Sequence, residues 1–347
     1  MERPNIFQFA TSELSQDAFL CWLLAWADIK YESSNPKLHR LGIDFLNRIY
    51  SLAKLNPPVQ FSKVEISRQD KHIDILCTVN DGTKILIEDK VGTKQHDGQL
   101  KRYREDIART CQEIIPVYIQ TGDQSDYSDV EAQEFFVFDR RNVLAVLESP
   151  AGQAASRESD ILDDFKIRLR ETEDEVQSYS VRPVSEWLAN SWTGFYKKLQ
   201  EELKQGGWGY VANASGGFLG FWWDRLGNDE CERYLQLEIA MPTCKPQKFC
   251  FKIGVPDPSK RAEFRDLWCD RLITDFAKQG IRVRKPDRLG FGEAMTVALL
   301  AEEFPCRTSR GLLDLTATRD RIKTVMGVFD MIIDKDSADQ VSKPGTG

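Results

Sequence analysis

Apolar positions recur at helical spacing over residues 12–30, where Phe19, Trp22, Leu23 and Trp26 form one stripe, and this predicts a helix that turns a face to a core. Residues 38–55 predict a second amphipathic helix, closed by Asn56-Pro57-Pro58. The period then shortens. Residues 59–66, 73–79 and 84–88 read as strands rich in β-branched side chains, and Asn80-Asp81-Gly82 supplies the positive-φ residues of a tight hairpin turn. A helix over about 95–109 and strands over 114–120 and 134–138 follow. A strand, helix and strand in succession need a crossover, so the strands at 84–88 and 114–120 are predicted parallel, in a mixed sheet with helices on its faces.

Residues 149–182 begin as a charged, loop-prone stretch and continue as an acidic helix up to Pro183; another helix is predicted over 187–203. Lys204-Gln205-Gly206-Gly207 is the expected seam, giving a first domain over 1–205, a second over 206–335 and a disordered tail over 336–347. Short strands at 218–223, 233–240 and 248–254, a helix over about 259–279, further strands and a last helix over about 317–334 make the second domain α+β. Its aromatic residues Trp208, Tyr210, Phe218, Phe221, Trp222 and Trp223 have the geometry to stack on bases, but in alternating strands they read first as core, with Trp223 the exception to check. The glycines at 216–217 and 290–292 lack the lysine of a phosphate loop and read as turns.

The chemistry concentrates at the hairpin. Side chains two apart on a strand point the same way, so Leu86, Glu88 and Lys90 share one face, and the tight turn brings Asp74 beside Glu88. Ile85-Leu86-Ile87 is apolar on both faces, and a carboxylate placed directly after it is costly unless paired or bound to a metal. Two hard oxygen donors suit Mg²⁺, with Mn²⁺ as a substitute, and the backbone carbonyl of Asp89 is placed to join them. Glu-x-Lys alone is weak, since a solvated face often carries such an ion pair. Six bases (Lys90, Lys94, Lys101, Arg102, Arg104, Arg109) against three acids (Asp97, Glu105, Asp106) make a local stripe of net +3, and Lys94, Lys101 and Arg102 are candidates to grip backbone phosphates.

Composition changes this picture little. With 41% hydrophobic and 29% charged residues in 347, the chain reads as a soluble two-domain protein. Its net charge of −7 argues against a surface basic throughout, so a phosphate-binding groove has to be local. The apolar run from Phe19 to Ala27 is too short to span a membrane, and no secretory signal precedes it. Eight cysteines without a C-x-x-C pair indicate reduced thiols and a cytoplasmic location, and His39, His72 and His96 are too dispersed for a histidine metal site and read as surface residues.

Asp74, then Glu88-Asp89-Lys90, then Gln99 and Tyr103 together resemble the PD-(D/E)XK nuclease superfamily, although Ile73 stands where the family name has proline. TSELSQDAFLCWLLAWAD, residues 11–28, is similar to the opening helix of a bacterial branch of that superfamily. The resemblance implies a restriction-endonuclease-like αβββαβ core of the α/β class, Mg²⁺-dependent cleavage of nucleic acid, DNA foremost, and a setting in bacterial defence. It also implies that Glu13 helps hold the metal with Asp74, Glu88 and Asp89, that Lys90 and Gln99 act in catalysis, and that Tyr103 meets the substrate. Glu13 and Asp17 also have a plain reading, as acids favoured by the positive end of the helix dipole. Two alternatives stay open: an inactive nuclease fold that binds DNA or a partner protein, and an effector governed by a sensor in residues 207–335. A homodimer is compatible with any of these.

Overall fold

The computed structural model describes residues 3–70, 73–92, 113–213 and 216–341. The chain divides into two units, residues 1–174 and 175–347. The first holds α1 (Glu13–Ala25), α2 (Pro36–Leu52), β1 (Val64–Asp70), β2 (Ile73–Val79), β3 (Thr83–Lys90), β4 (Glu113–Gln120), α3 (Ser128–Ala132), β5 (Phe136–Asp139), α4 (Arg140–Leu147), α5 (Pro150–Ser156) and most of α6 (Asp160–Gln177). Its five strands lie in sequence order, β1 to β3 antiparallel and β3 to β5 parallel. The mixed sheet expected from the crossover is therefore present.

The turn explains the register. Asn80 and Asp81 take positive φ at the centre of a turn of the mirror-image type closed by Gly82 N on the Val79 carbonyl oxygen at 3.1 Å, and this three-residue connection sets Thr83 opposite Val79 and Ile87 opposite Ile75. Extended by one residue, the ladder sets Asp74 opposite Glu88. On one face Ile75, Cys77, Ile85, Ile87, Val117 and Ile119 join a core built with Phe19, Leu23, Phe45 and Phe165. On the other, Leu76, Leu86 and Tyr118 pack with Val130 and Phe135. The central strands are apolar on both sides because both sides are covered.

Several expectations shift. The first strand begins at Val64, not at residue 59, because its partner β2 ends at Val79; Asp28 accepts hydrogen bonds from Val64 N and Lys30 N, each 2.9 Å, which ends the α1 region and starts β1. Within the stretch read as loop-prone, Ser149 caps the N-terminus of α5 and Pro150 occupies its first turn. His39 is buried, not exposed, with Nδ1 2.7 Å from the Trp26 carbonyl oxygen. His72 and His96 lie outside the described residues, as does the helix expected over 95–109.

The second unit contains α7 (Ala189–Leu203), β6 (Gly207–Val211), β7 (Phe218–Asn228), β8 (Cys231–Ala240), β9 (Gln247–Gly254), α8 (Arg261–Lys278), β10 (Val283–Arg284), β11 (Ala294–Leu300) and α9 (Leu315–Val341). Its antiparallel sheet runs β10-β11-β9-β8-β7-β6. Trp192, Phe195 and Tyr196 of α7 share a core with Trp208, Phe221 and Trp223, so α7 belongs to this unit. Those three strand aromatics, Trp223 included, are buried and serve as packing, whereas Tyr210 is exposed. The last helix runs to Val341, beyond the expected start of the tail. Among the described residues no helix is long and apolar enough to cross a membrane, and the seven cysteines are all free.

Gly42 marks where α2 passes closest to α1: a Cβ there would lie 2.7 Å from Ala27 N and 3.0 Å from the Leu23 carbonyl oxygen. Both are backbone atoms with little room to yield. Gly42→Ala gains roughly 1 kcal/mol of helix propensity, yet the clash should win and leave a net loss of about 1–3 kcal/mol. A urea midpoint at or above that of the natural chain would contradict this close approach.

Candidate active site at the end of strand β3

Three segments supply the site: the first turn of α1, the second residue of β2 and the last residues of β3. Ser12 caps α1, its side chain accepting from Ser15 N, so that Glu13 opens the helix. The Lys90 ammonium is 2.6 Å from Glu88 Oε1, 3.5 Å from Asp74 Oδ2 and 4.0 Å from Glu13 Oε2, and it donates to the Asp89 carbonyl oxygen at 3.1 Å. The acids are themselves tied to the strand: Asp89 N donates to Asp74 Oδ2 at 3.0 Å, and Val91 N donates to Glu13 Oε1 at 3.2 Å. Thus Glu13, Asp74, Glu88 and Lys90 converge, and the Asp89 carbonyl lies on their side. The Asp89 side chain points the other way, toward α1, as strand alternation requires.

Electrostatics at this point are those of charge taken out of water. Glu88 is 1% exposed, and burial, with the neighbouring Asp74 charge, pushes its carboxyl up to about 7. Burial works against the Lys90 ammonium, but the hydrogen bond and charge of Glu88, helped by Asp74 and Glu13, outweigh it and raise its pKa. Behind β3, burial raises the carboxyls of Asp89 and Asp17 as well, with the charge of Asp74 adding to it at Asp17 and that of Asp17 at Asp89.

A set of neutral and cationic groups holds this strand end in place. Gln16 donates to Asp89 Oδ1 and accepts from Thr121 Oγ1, both at 2.6 Å. Thr121 N donates to the Lys90 carbonyl oxygen at 3.1 Å, and Gln120 Nε2 to that of Val91 at 3.2 Å. Gly122 abuts the same strand end; a Cβ there would fall 1.7 Å from the Val91 carbonyl oxygen, so no larger residue fits. The turn after β4 is in turn gripped by Arg140, 2% exposed, which donates to the carbonyl oxygens of Thr121 (2.8 Å) and Gly122 (3.2 Å) and pairs with Asp123 and Glu173.

Gln16, Gln120, Thr121 and Arg140 were not singled out from the sequence. The signal available was the polar Gln120-Thr121-Gly122 directly after an apolar strand, since the C-terminal ends of parallel strands are where α/β sheets place ligands. Lys94, Gln99, Lys101, Arg102 and Tyr103 lie outside the described residues.

The donor set suits a hard divalent cation: two carboxylates and a carbonyl on one side of a strand end, with a third carboxylate arriving from α1. Burial and the Asp74 charge disfavour the charged form of Glu88, and a cation placed there would relieve both. As arranged, the ammonium of Lys90 provides that neutralisation, and among the described residues no group of three or more His, Cys, Asp or Glu is placed to hold a metal.

In comparison with known proteins, a family model described as the PD-(D/E)XK nuclease superfamily matches residues 4–211. No curated protein and no solved structure matches.

Between the ordinary carboxyl value of 4.5 and about 7, the folded chain keeps a proton on Glu88 that the unfolded chain has lost. Folding stability of the chelator-treated protein should therefore fall as pH rises through this window, by roughly 3 kcal/mol from Glu88 alone. Denaturant midpoints measured from pH 4.5 to 8 should trace that fall, and Glu88→Gln should remove the Glu88 share of it while that of Asp17 and Asp89 remains. An unchanged slope in the variant would assign the effect elsewhere.

Proposed function

The chain belongs to the PD-(D/E)XK nuclease superfamily, and on that premise we propose that it hydrolyses phosphodiester bonds of nucleic acid, DNA foremost, at the acids and lysine gathered at the end of β3. One observation carries the reading: Lys90 sits 2.6 Å from a buried glutamate and 3.5 Å from Asp74, a cation held where acids converge and where the sheet meets its loops. A solvated ion pair has no need of such burial.

In this reading Asp74, Glu88 and the Asp89 carbonyl hold Mg²⁺ or Mn²⁺, and Glu13 completes the set from α1. When bound, such an ion stabilises charge on a phosphoryl oxygen and lowers the pKa of water. The chain's own groups do the rest. Asp74 is kept in one orientation by Asp89 N. Lys90 would present its N–H donors to the attacking water or to the phosphate, where it would act as a point charge. From outside the described residues, Lys94, Lys101 and Arg102 would grip backbone phosphates, Gln99 would act in catalysis and Tyr103 would meet the substrate.

A second reading, binding without cleavage, is favoured by the fact that Lys90 already neutralises these carboxylates and that no grouping of three acids among the described residues is placed for a metal. Titration calorimetry separates the two. The active reading expects Mg²⁺ binding that disappears in Asp74→Asn, together with metal-dependent cutting of at least one of linear duplex, circular duplex, single-stranded DNA or RNA. Glu88→Gln should slow cutting by about a hundredfold or more while nucleic-acid binding in chelator holds or tightens, because the lost charge repels phosphate. Lys90→Ala should also cut poorly. A Glu88→Gln protein that cleaves at the natural rate in repeat preparations would remove this site from consideration.

A further inference from the structure

The sheet of the second unit has a covered face and an open one. Phe195 of α7, Trp268 of α8 and Phe329 of α9 share a core with Phe221, Leu235 and Phe251, so the three helices lie on one side of the sheet. Strand alternation turns the intervening residues to the other side. Register sets them beside one another there: Gly207 opposite Trp222, Gly209 opposite Gly220, Trp222 opposite Gln236, and Glu238 opposite both Gly220 and Lys248.

Trp222 lies flat on this open face. A Cβ at Gly207 would be 3.3 Å from its Nε1, one at Gly209 3.6 Å from its Cη2, and one at Gly220 3.2 Å from its Cζ3. Different edges of the indole are thus close to three glycines on two strands, which a ring parallel to the sheet satisfies. None of the three glycines has positive φ, so the backbone does not require them. Glycine within a strand weakens it and marks a close approach, and a ring laid over it recovers part of the loss. That recovery accounts for the inner side of the indole. Its outer side is left over: Trp222 is only half-buried, whereas the core-facing Trp208 and Trp223 are 4% and 3% exposed.

The charges beside the ring favour one kind of partner. Arg225, its side chain 57% exposed, sets its guanidinium over the Tyr234 ring at 5.2 Å and makes a second flat surface. Glu232 is paired with Arg225 at 3.2 Å, and Glu238 with Lys252 at 3.1 Å. Lys248 is exposed and has no ion pair among the described residues, so the acids named here are neutralised and one cation is in excess. Flat surfaces open to water beside a free cation suit stacked bases and their phosphates. A duplex hides the faces of its bases, and a single strand offers them.

We propose that the open face of the second sheet binds a single strand of nucleic acid, with a base stacked on Trp222, another near Arg225, and phosphate at Lys248. The proposal rests on the nucleic-acid reading given above and adds to it a place where the strand is held outside the first unit.

The test uses full-length protein carrying Glu88→Gln, in chelator, so that no strand is consumed. Labelled strands of about 12 nucleotides, of DNA and of RNA, and the matching DNA duplex are titrated by fluorescence anisotropy. The expected result is saturable binding of at least one single strand that weakens about tenfold or more in Trp222→Ala and less in Trp222→Tyr, which keeps a ring, with duplex affinity unaltered in both. Lys248→Glu should lower the slope of log affinity against log salt by about one. Thermal melting checks folding, and if Trp222→Ala does not fold, the other two variants decide. No saturable strand binding up to about 100 μM, strand affinity indifferent to Trp222, equal losses for strand and duplex, or a salt slope unchanged in Lys248→Glu would each overturn the proposal. Cleavage by the natural chain in Mg²⁺ is scored apart. Strand binding that depends on Trp222 without any cleavage keeps this inference and removes the nuclease reading, and cleavage with strand affinity indifferent to Trp222 does the reverse.

Discussion

A glutamate and a lysine lie side by side at the end of an apolar strand, both almost without solvent, and much of the first unit is arranged around that fact. Each ion costs several kcal/mol to bury and is tolerable only when its remaining hydrogen-bonding capacity is met and its geometry is fixed. The surrounding sequence fixes that geometry from four directions. Glu13 and Gln16 come from α1, Asp74 from β2, Thr121 from beyond β4, and Arg140 secures the turn that carries Thr121. A site so constrained has little freedom to relax, which is what preorganised electrostatics requires.

Local features made the centre of this site legible in the sequence. Asn80 and Asp81 accept positive φ readily, so the hairpin register follows, and with it the pairing of Asp74 and Glu88. Strand alternation then puts Lys90 on the same face as Glu88. The support was not legible, because its members are far apart in the chain and ordinary in type: a glutamine in the second turn of a helix, a threonine after a strand, an arginine at the start of another helix. Their roles come from tertiary placement, to which neither spacing nor propensity is sensitive. The same limit hid His39, whose burial depends on a carbonyl in the preceding segment, and the place of α7, whose aromatic face reads equally well toward either unit until the second sheet is present.

The two units use charge in different ways. In the first, opposite charges are buried against one another and their partners are supplied by the fold itself. In the second, one such pair is buried, Lys252 with Glu238 at 3.1 Å, while other cations stay near solvent, where screening weakens them. An acidic chain can hold both arrangements because neither depends on its net charge.

The parallel pairing of β3 with β4 bears on when the site comes into being. A hairpin such as β2–β3 closes in about 1–10 μs, so Asp74 and Glu88 can meet as soon as their segment is free. A parallel partner must wait for the whole crossover. Thr121 cannot reach Gln16 before that, and Arg140 lacks its second carboxylate until Glu173 has been made. During translation, therefore, a nascent chain carries the acids and the lysine long before it carries their setting. Completion of the first unit, and not the appearance of the motif, sets the moment at which the centre takes the form described above.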